Sequence, residues 1–212
     1  MTRPAPIVLA LLGLVALAPA HATEPYRFHA GVLFGASDPD ALPVDGGPVL
    51  DRLALDRDAA FGVAGGLSLG GPLRIDAEYL RSSADATDLP ELGLSDLGGS
   101  VDLQTLMLNL VVEGAFADGA IRPYAGLGAG WARVDVEDVG NDFLRLSGGD
   151  DVFAWQGLVG VAFPVDDRWT IALDARFLRT DDVGFAIGPD VRIPASGELE
   201  ATQVVASVRY GF

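Results

Sequence analysis

The chain contains no cysteine. This excludes a disulfide scaffold, a thiolate metal site and a cysteine for lipid attachment after an export signal. Lysine is also missing, so all 14 basic residues are arginine, set against 30 aspartates and glutamates for a net charge of −16. That balance argues against nucleic acid as a partner, because binding to phosphates needs basic patches. Beyond residue 22 there is no long apolar run, so no transmembrane helix is predicted. Yet the mean hydropathy is positive and glycine is abundant, with 27 in 212 residues. The apolar surplus must therefore be spread through short alternating pieces.

Residues 1–22, "MTRPAPIVLALLGLVALAPAHA", combine Arg3, an apolar core from Ile7 to Leu17 and a small-x-small site at Ala20 and Ala22. This pattern is a secretory signal peptide, with cleavage expected before Thr23. Its apolar core is shorter than the roughly 20 residues a membrane-spanning helix needs. The mature chain, 23–212, is expected to form one exported domain.

Eight segments of period two follow, which is the mark of strands with one apolar face. They are Tyr26 to Ala36, Ala60 to Gly70, Leu73 to Ser82, Leu103 to Gly114, Ile121 to Val136, Val152 to Val165, Trp169 to Thr180 and Glu198 to Phe212. Long acidic connections at about 37–58, 83–100, 137–151 and 181–197 alternate with three short turns. The turns contain Gly70-Gly71-Pro72, Asp118-Gly119 and Asp166-Asp167-Arg168, residue types that tight hairpins prefer.

Such strands suit either a soluble antiparallel sandwich or barrel, or a transmembrane barrel with its apolar face outward. Three features favour the second. The segments run to about 10–15 residues, whereas globular strands average about 5–6 and tilted membrane strands need about 9–11. Long and short connections alternate strictly, as expected of outer and periplasmic rims. Charges sit in mid-strand, as in Arg74-x-Asp76-x-Glu78 and Asp174-x-Arg176. The fold class expected is all-β, an eight-stranded antiparallel up-and-down transmembrane barrel with four long outer loops and three short periplasmic turns. Strand eight must pair with strand one, because a free sheet edge in hydrocarbon leaves backbone groups unsatisfied.

With the apolar set facing lipid, the other set lines an interior just wide enough for side chains to fill it. The expected lining is Arg27, His29, Arg74, Asp76, Glu78, Asn109, Glu113, Gln156, Asp174, Arg176, Gln203 and Arg209. Both signs of charge are present, which favours a plug of ion pairs; the alternative is a gated or leaky conduit for small solutes. The row Gly126, Gly128 and Gly130 fits either reading and either face. Aromatics near segment ends, among them Tyr26, Phe61, Tyr79, Tyr124, Trp131, Trp155 and Trp169, are expected to form interfacial girdles.

The loop acids include Asp38, Asp40, Asp45, Glu137, Asp138 and Asp142. "SDPDALPVDGG" lacks the spacing of an EF-hand loop, so solvated loops are expected and no metal or cofactor. The mature chain has one histidine, His29, facing inward, and no His-x-Ser motif. A His-based nucleophile pair at the outer rim is therefore missing, and no enzyme activity is expected.

"RPYAGLGAGWARV" before an acidic loop, the echo of "RIDAEYLR" in "ALDARFLR", and the closing "VVASVRYGF" resemble the small outer-membrane β-barrel superfamily, the opacity-protein and OmpA/OmpX-like barrels. The resemblance covers almost all of the mature chain. It implies a Gram-negative outer-membrane location among lipid and lipopolysaccharide, and insertion by the barrel-assembly machinery. That machinery would read a last strand ending in an aromatic, here Val204, Ala206, Val208, Tyr210 and Phe212. The chain stops where the barrel closes, so no peptidoglycan-binding domain is expected. Members range over adhesion, envelope integrity and small-solute passage, and fold alone does not choose among them. The expected role is a monomeric, non-enzymatic surface or envelope-integrity protein whose loops meet a surface ligand; the alternative is a narrow porin.

Overall fold

The computed structural model describes residues 27–39, 42–43, 52–55, 58–89, 94–95, 98–140, 145–187 and 193–212. The segment read as a signal peptide, with Ala20, Ala22 and Thr23, lies outside them, as do Tyr26, Asp40, Asp45 and Asp142. Eight long strands run through the described residues: β1 (Phe28–Pro39), β2 (Asp58–Gly70), β3 (Leu73–Leu89), β4 (Gly98–Glu113), β5 (Arg122–Gly140), β6 (Arg145–Pro164), β7 (Trp169–Ile187) and β8 (Ile193–Gly211). Each pairs antiparallel with the next. β8 then returns to β1, from His29 opposite Gly211 to Pro39 opposite Ala201. The sheet is a closed barrel.

Alternation sorts the side chains. Along β4, Leu106, Leu108, Leu110 and Val112 are exposed while Thr105, Met107, Asn109, Val111 and Glu113 are buried. The same switch recurs on β7, where Trp169, Ile171 and Leu173 point out and Thr170, Ala172 and Asp174 point in. The outer wall is a continuous apolar belt, with Leu127 72 % exposed, a surface that a water-soluble monomer would have to cover. Aromatics bound it at two levels. Near the short turns, Trp169 and Tyr210 pack with ring centroids 4.9 Å apart and Tyr210 and Phe212 with 5.3 Å. Towards the far rim, Phe34 lies against Phe61 at 6.1 Å and Trp155 against Phe177 at 5.9 Å.

Several strands run past the segments that alternation marks. β3 continues from Ser82 to Leu89 and β7 from Thr180 to Ile187, while β6 begins at Arg145 and β8 at Ile193. The hydrogen-bond ladder goes on there although the sequence lacks the period-two signature. Register shifts at Arg179/Asp182 and Val136/Val139 mark the changeover. Short strands at Leu42–Pro43, Arg52–Leu55 and Leu94–Ser95 pair with one another or with β3 at this rim.

The three turns at the other rim hold the expected residues. Gly70 and Gly71 take φ of 93° and 61°, a region glycine enters without a Cβ clash. In the third turn the Asp166 carboxylate accepts N–H bonds from Arg168 at 2.8 Å and Trp169 at 2.7 Å. These bonds stabilise the carboxylate and hold the Asp166 pKa below the ordinary aspartate value.

Two outcomes test this account. Leu108→Arg, in the middle of the apolar belt, lowers the unfolding free energy by about 2–4 kcal/mol in urea titrations in lipid vesicles. Asp167→Arg in the wet turn stays within about 0.5 kcal/mol of wild type. Because folding depresses the Asp166 value, its contribution is complete above the unfolded value near about 3.9 and is lost as pH falls through the folded one. The wild type's advantage over Asp166→Asn in urea midpoint therefore shrinks on acidification below about pH 4.

Candidate functional site in the barrel interior

The inward residues of β3 and β7 carry the charges that meet in the middle. Arg74 donates from Nε to Asp76 Oδ2 at 2.8 Å and from a terminal nitrogen to Glu113 on β4. Arg176 donates to Glu78 and to Asp174. Two further arginines approach Glu113: Arg122 at 3.6 Å from Oε1 and Arg209 at 4.0 Å from Oε2. Arg74, Arg176, Arg209, Glu78, Glu113 and Asp174 are each 5 % exposed or less. Breaking such a pair from one side costs about 3–5 kcal/mol, because the remaining charge stays buried.

One geometric device recurs three times. On three adjacent strands, the middle residue is a glycine and the polar side chains flanking it meet above it. His29, Gly66 and Asp76 stand in register across β1, β2 and β3, with His29 Nε2 3.2 Å from Asp76 Oδ1. Asn109, Gly128 and Gln156 do so across β4, β5 and β6, with Gln156 Nε2 donating to Asn109 Oδ1 at 2.7 Å. Tyr124, Gly160 and Asp174 do so across β5, β6 and β7, the Tyr124 hydroxyl donating to Asp174 Oδ2 at 2.7 Å. A Cβ on Gly160 would come within 2.6 Å of Tyr124 Cζ and of Asp174 Cβ. The glycines are the space through which side chains reach across a strand.

Above the charges the interior changes character. Leu33, Ala60, Leu80 and Val205 form a buried cluster, and Leu103, Val134, Leu178 and Leu199 also point inward, each 6 % exposed or less. Polar residues interrupt this layer, with Gln203 Nε2 3.3 Å from Ser37 Oγ. Within the charged layer lies a cavity of about 30 Å³.

The sequence profile of the family described as "Outer membrane protein beta-barrel domain" matches residues 7–212. The chain belongs to this family. Solved structures agree on the fold. Neisserial surface protein A is 13 % identical with a TM-score of 0.61, covering 87 % of this chain and 97 % of its own. OprG from Pseudomonas aeruginosa is 16 % identical with a TM-score of 0.59, covering 88 % and 97 %. A major outer membrane protein from Thermus thermophilus is 13 % identical with a TM-score of 0.51, covering 87 % and 100 %. No curated protein matches the sequence.

As a member of this family the protein resides in the outer membrane, so the apolar belt faces lipid and the short turns face the periplasm. The predicted lining residues divide in this frame. His29, Arg74, Asp76, Glu78, Asn109, Glu113, Gln156, Asp174, Arg176, Gln203 and Arg209 are buried in the interior. Arg27 stands apart from them: it precedes β1, is exposed, and its guanidinium lies 5.8 Å from the Phe28 ring centroid at the periplasmic mouth. Tyr124, read as a girdle residue, is 3 % exposed and inside. Its parity with Gly126, Gly128 and Gly130 was the available signal, since all four share a face and the exposed Leu127 and Trp131 take the other. Arg122, absent from the expected lining, sits at the mouth with Nε 3.3 Å from the Gly119 carbonyl. Val204 and Phe212 are exposed on the lipid side.

Tyr124→Phe leaves Asp174 Oδ2 without its phenolic donor and lowers the unfolding free energy in urea by about 1–3 kcal/mol. Gly160→Val, which displaces the same ring, costs at least as much.

Proposed function

We propose that the protein is a closed, non-conducting barrel that works through its external face, as a non-enzymatic surface or envelope-integrity protein. The observation that carries this is the doubly filled interior: a neutralised charge layer towards the periplasm and a largely apolar layer above it. An ion crossing would have to break pairs in the first and dehydrate in the second. The supply of exposed side chains at the far rim is acidic and partly paired, as in Arg81–Asp102 at 3.0 Å and Arg179–Glu200 at 3.2 Å, which suits contact with a wet surface. His29 supports a non-catalytic reading, because it is buried against Asp76 beneath the apolar layer. In this reading the N-terminal segment is removed before Thr23 during export. The alternating strand from Val204 to Phe212 is what the barrel-assembly machinery recognises, and the closed sheet acts as a monomer.

Planar-bilayer recordings with purified protein test the central claim. Silence at voltages that open porins is expected; reproducible unitary steps would establish the narrow-channel alternative. In cells, deleting the protein is expected to lower adherence or detergent resistance, and shortening the outer connection between β1 and β2 while keeping the barrel is expected to reproduce that loss.

A further inference from the structure

We infer that the charged layer is built to hold a structural water, which accepts from the Arg209 guanidinium and donates to Asp76 Oδ1. Arg209 points inward from β8 and is 5 % exposed. Its three guanidinium nitrogens are buried, and none donates to an acceptor among the described residues. Glu113 Oε2 is 4.0 Å away and already accepts from Arg74, while the Tyr124 ring, its centroid 5.9 Å from Arg209 Cζ, offers a face and no lone pair. Asp76 shows the opposite deficit. Its Oδ2 accepts from Arg74, whereas Oδ1 is buried and takes no well-aligned hydrogen bond, with His29 Nε2 3.2 Å from it. An ionised carboxylate oxygen has two lone pairs, so it has room for a further donor beside His29.

The wall explains why these groups do not meet directly. Arg209, Gly31, Ala64 and Glu78 stand in register across β8, β1, β2 and β3. In each of the three glycine bridges one notch separates the polar partners; in this row two small residues do, and the ends lie three strand spacings apart, roughly 14 Å along the wall. The Arg209 stem leans over Gly31, its Cγ 3.0 Å from where a Cβ would stand. Glu78, at the far end of the row, is taken by Arg176. The cavity of about 30 Å³ opens here, lined by Arg209, Gly31, Ala64, His29 and Asp76 among others. It has room for a water and is too small for an organic ligand.

The lining also decides what fills the cavity. Arg74, Arg176 and Arg209 meet Asp76, Glu78 and Asp174 around it, three positive charges against three negative, so an ion of either sign would unbalance the layer. A halide accepts hydrogen bonds and has none to give Asp76 Oδ1. A metal cation attracts the carboxylates and can take nothing from Arg209. Water accepts and donates at once, which is how buried waters serve polar groups that cannot reach each other. The apolar layer closes the outer side, so this water exchanges with the periplasm.

Crystals of the detergent-solubilised protein, grown in one batch with a bromide salt and in another with a rubidium salt, test this. The expected maps show an oxygen-sized peak within about 2.7–3.2 Å of both an Arg209 nitrogen and Asp76 Oδ1, without anomalous signal in either salt. Arg209→Met loses the peak. An anomalous peak in the cavity would put an ion there and overturn the inference. So would an Arg209 side chain bonded directly to Glu113 with no peak beside it, or a peak that persists in Arg209→Met. The wild-type maps decide the matter even where that variant fails to fold.

Discussion

Everything in this molecule depends on the ladder between β1 and β8. Hydrocarbon offers no partner for a backbone N–H or C=O, so a sheet survives there only when its first and last strands bond to each other. The pairing of His29 to Pro39 with Gly211 to Ala201 supplies that closure. Once the sheet is closed, the period-two geometry of a strand leaves each residue only two fates, lipid or interior. The acidic composition and the apolar surplus then cease to conflict, because they occupy different surfaces of the same wall.

Closing at eight strands also decides the interior. The circumference leaves room for side chains and little else, and the packing shows how that room is used. Long cationic side chains lie across the lumen to reach carboxylates on other strands, as Arg176 reaches Glu78 from β7 to β3. Glycines lower the wall where polar groups must meet. A wide aqueous lumen needs a larger circumference; here the inward side chains cross the interior and bond to one another.

Much of this was legible in the sequence because hydrocarbon imposes a strict pattern. Apolar residues at every second position of β4, β7 and β8 are required by lipid, so the strands, their faces and most of the charged lining could be read directly. Where lipid stops constraining, legibility stops as well. The extensions of β3 and β7 beyond Ser82 and Thr180 lack alternation since neither face is forced to be apolar. The apolar inner layer was missed for a related reason: Leu80, Leu178 and Val205 follow polar inward residues on the same strands, and period two says which face a residue takes without saying how deep it lies. Tyr124 was misplaced because an aromatic near a strand start suits a girdle or a hydrogen-bonded plug equally well until Gly160 is known to lie beside it.

The three glycine-bridged pairs also bear on how the strands find their register. Sliding one strand by two residues keeps every apolar side chain facing lipid, so the hydrophobic pattern that rejects a one-residue slip is blind to it. The bridges are not blind. Such a slip of β2 would put Ala64 or Ser68 where Gly66 sits beneath His29 and Asp76, and a slip of β6 would put Leu158 or Ala162 beneath Tyr124 and Asp174. At Gly128 the neighbouring Gly126 and Gly130 would be accepted instead, so β5 draws its register from the strands beside it. The notches at Gly66 and Gly160 thus act as a vernier, dividing alignments that hydrophobicity alone leaves equal.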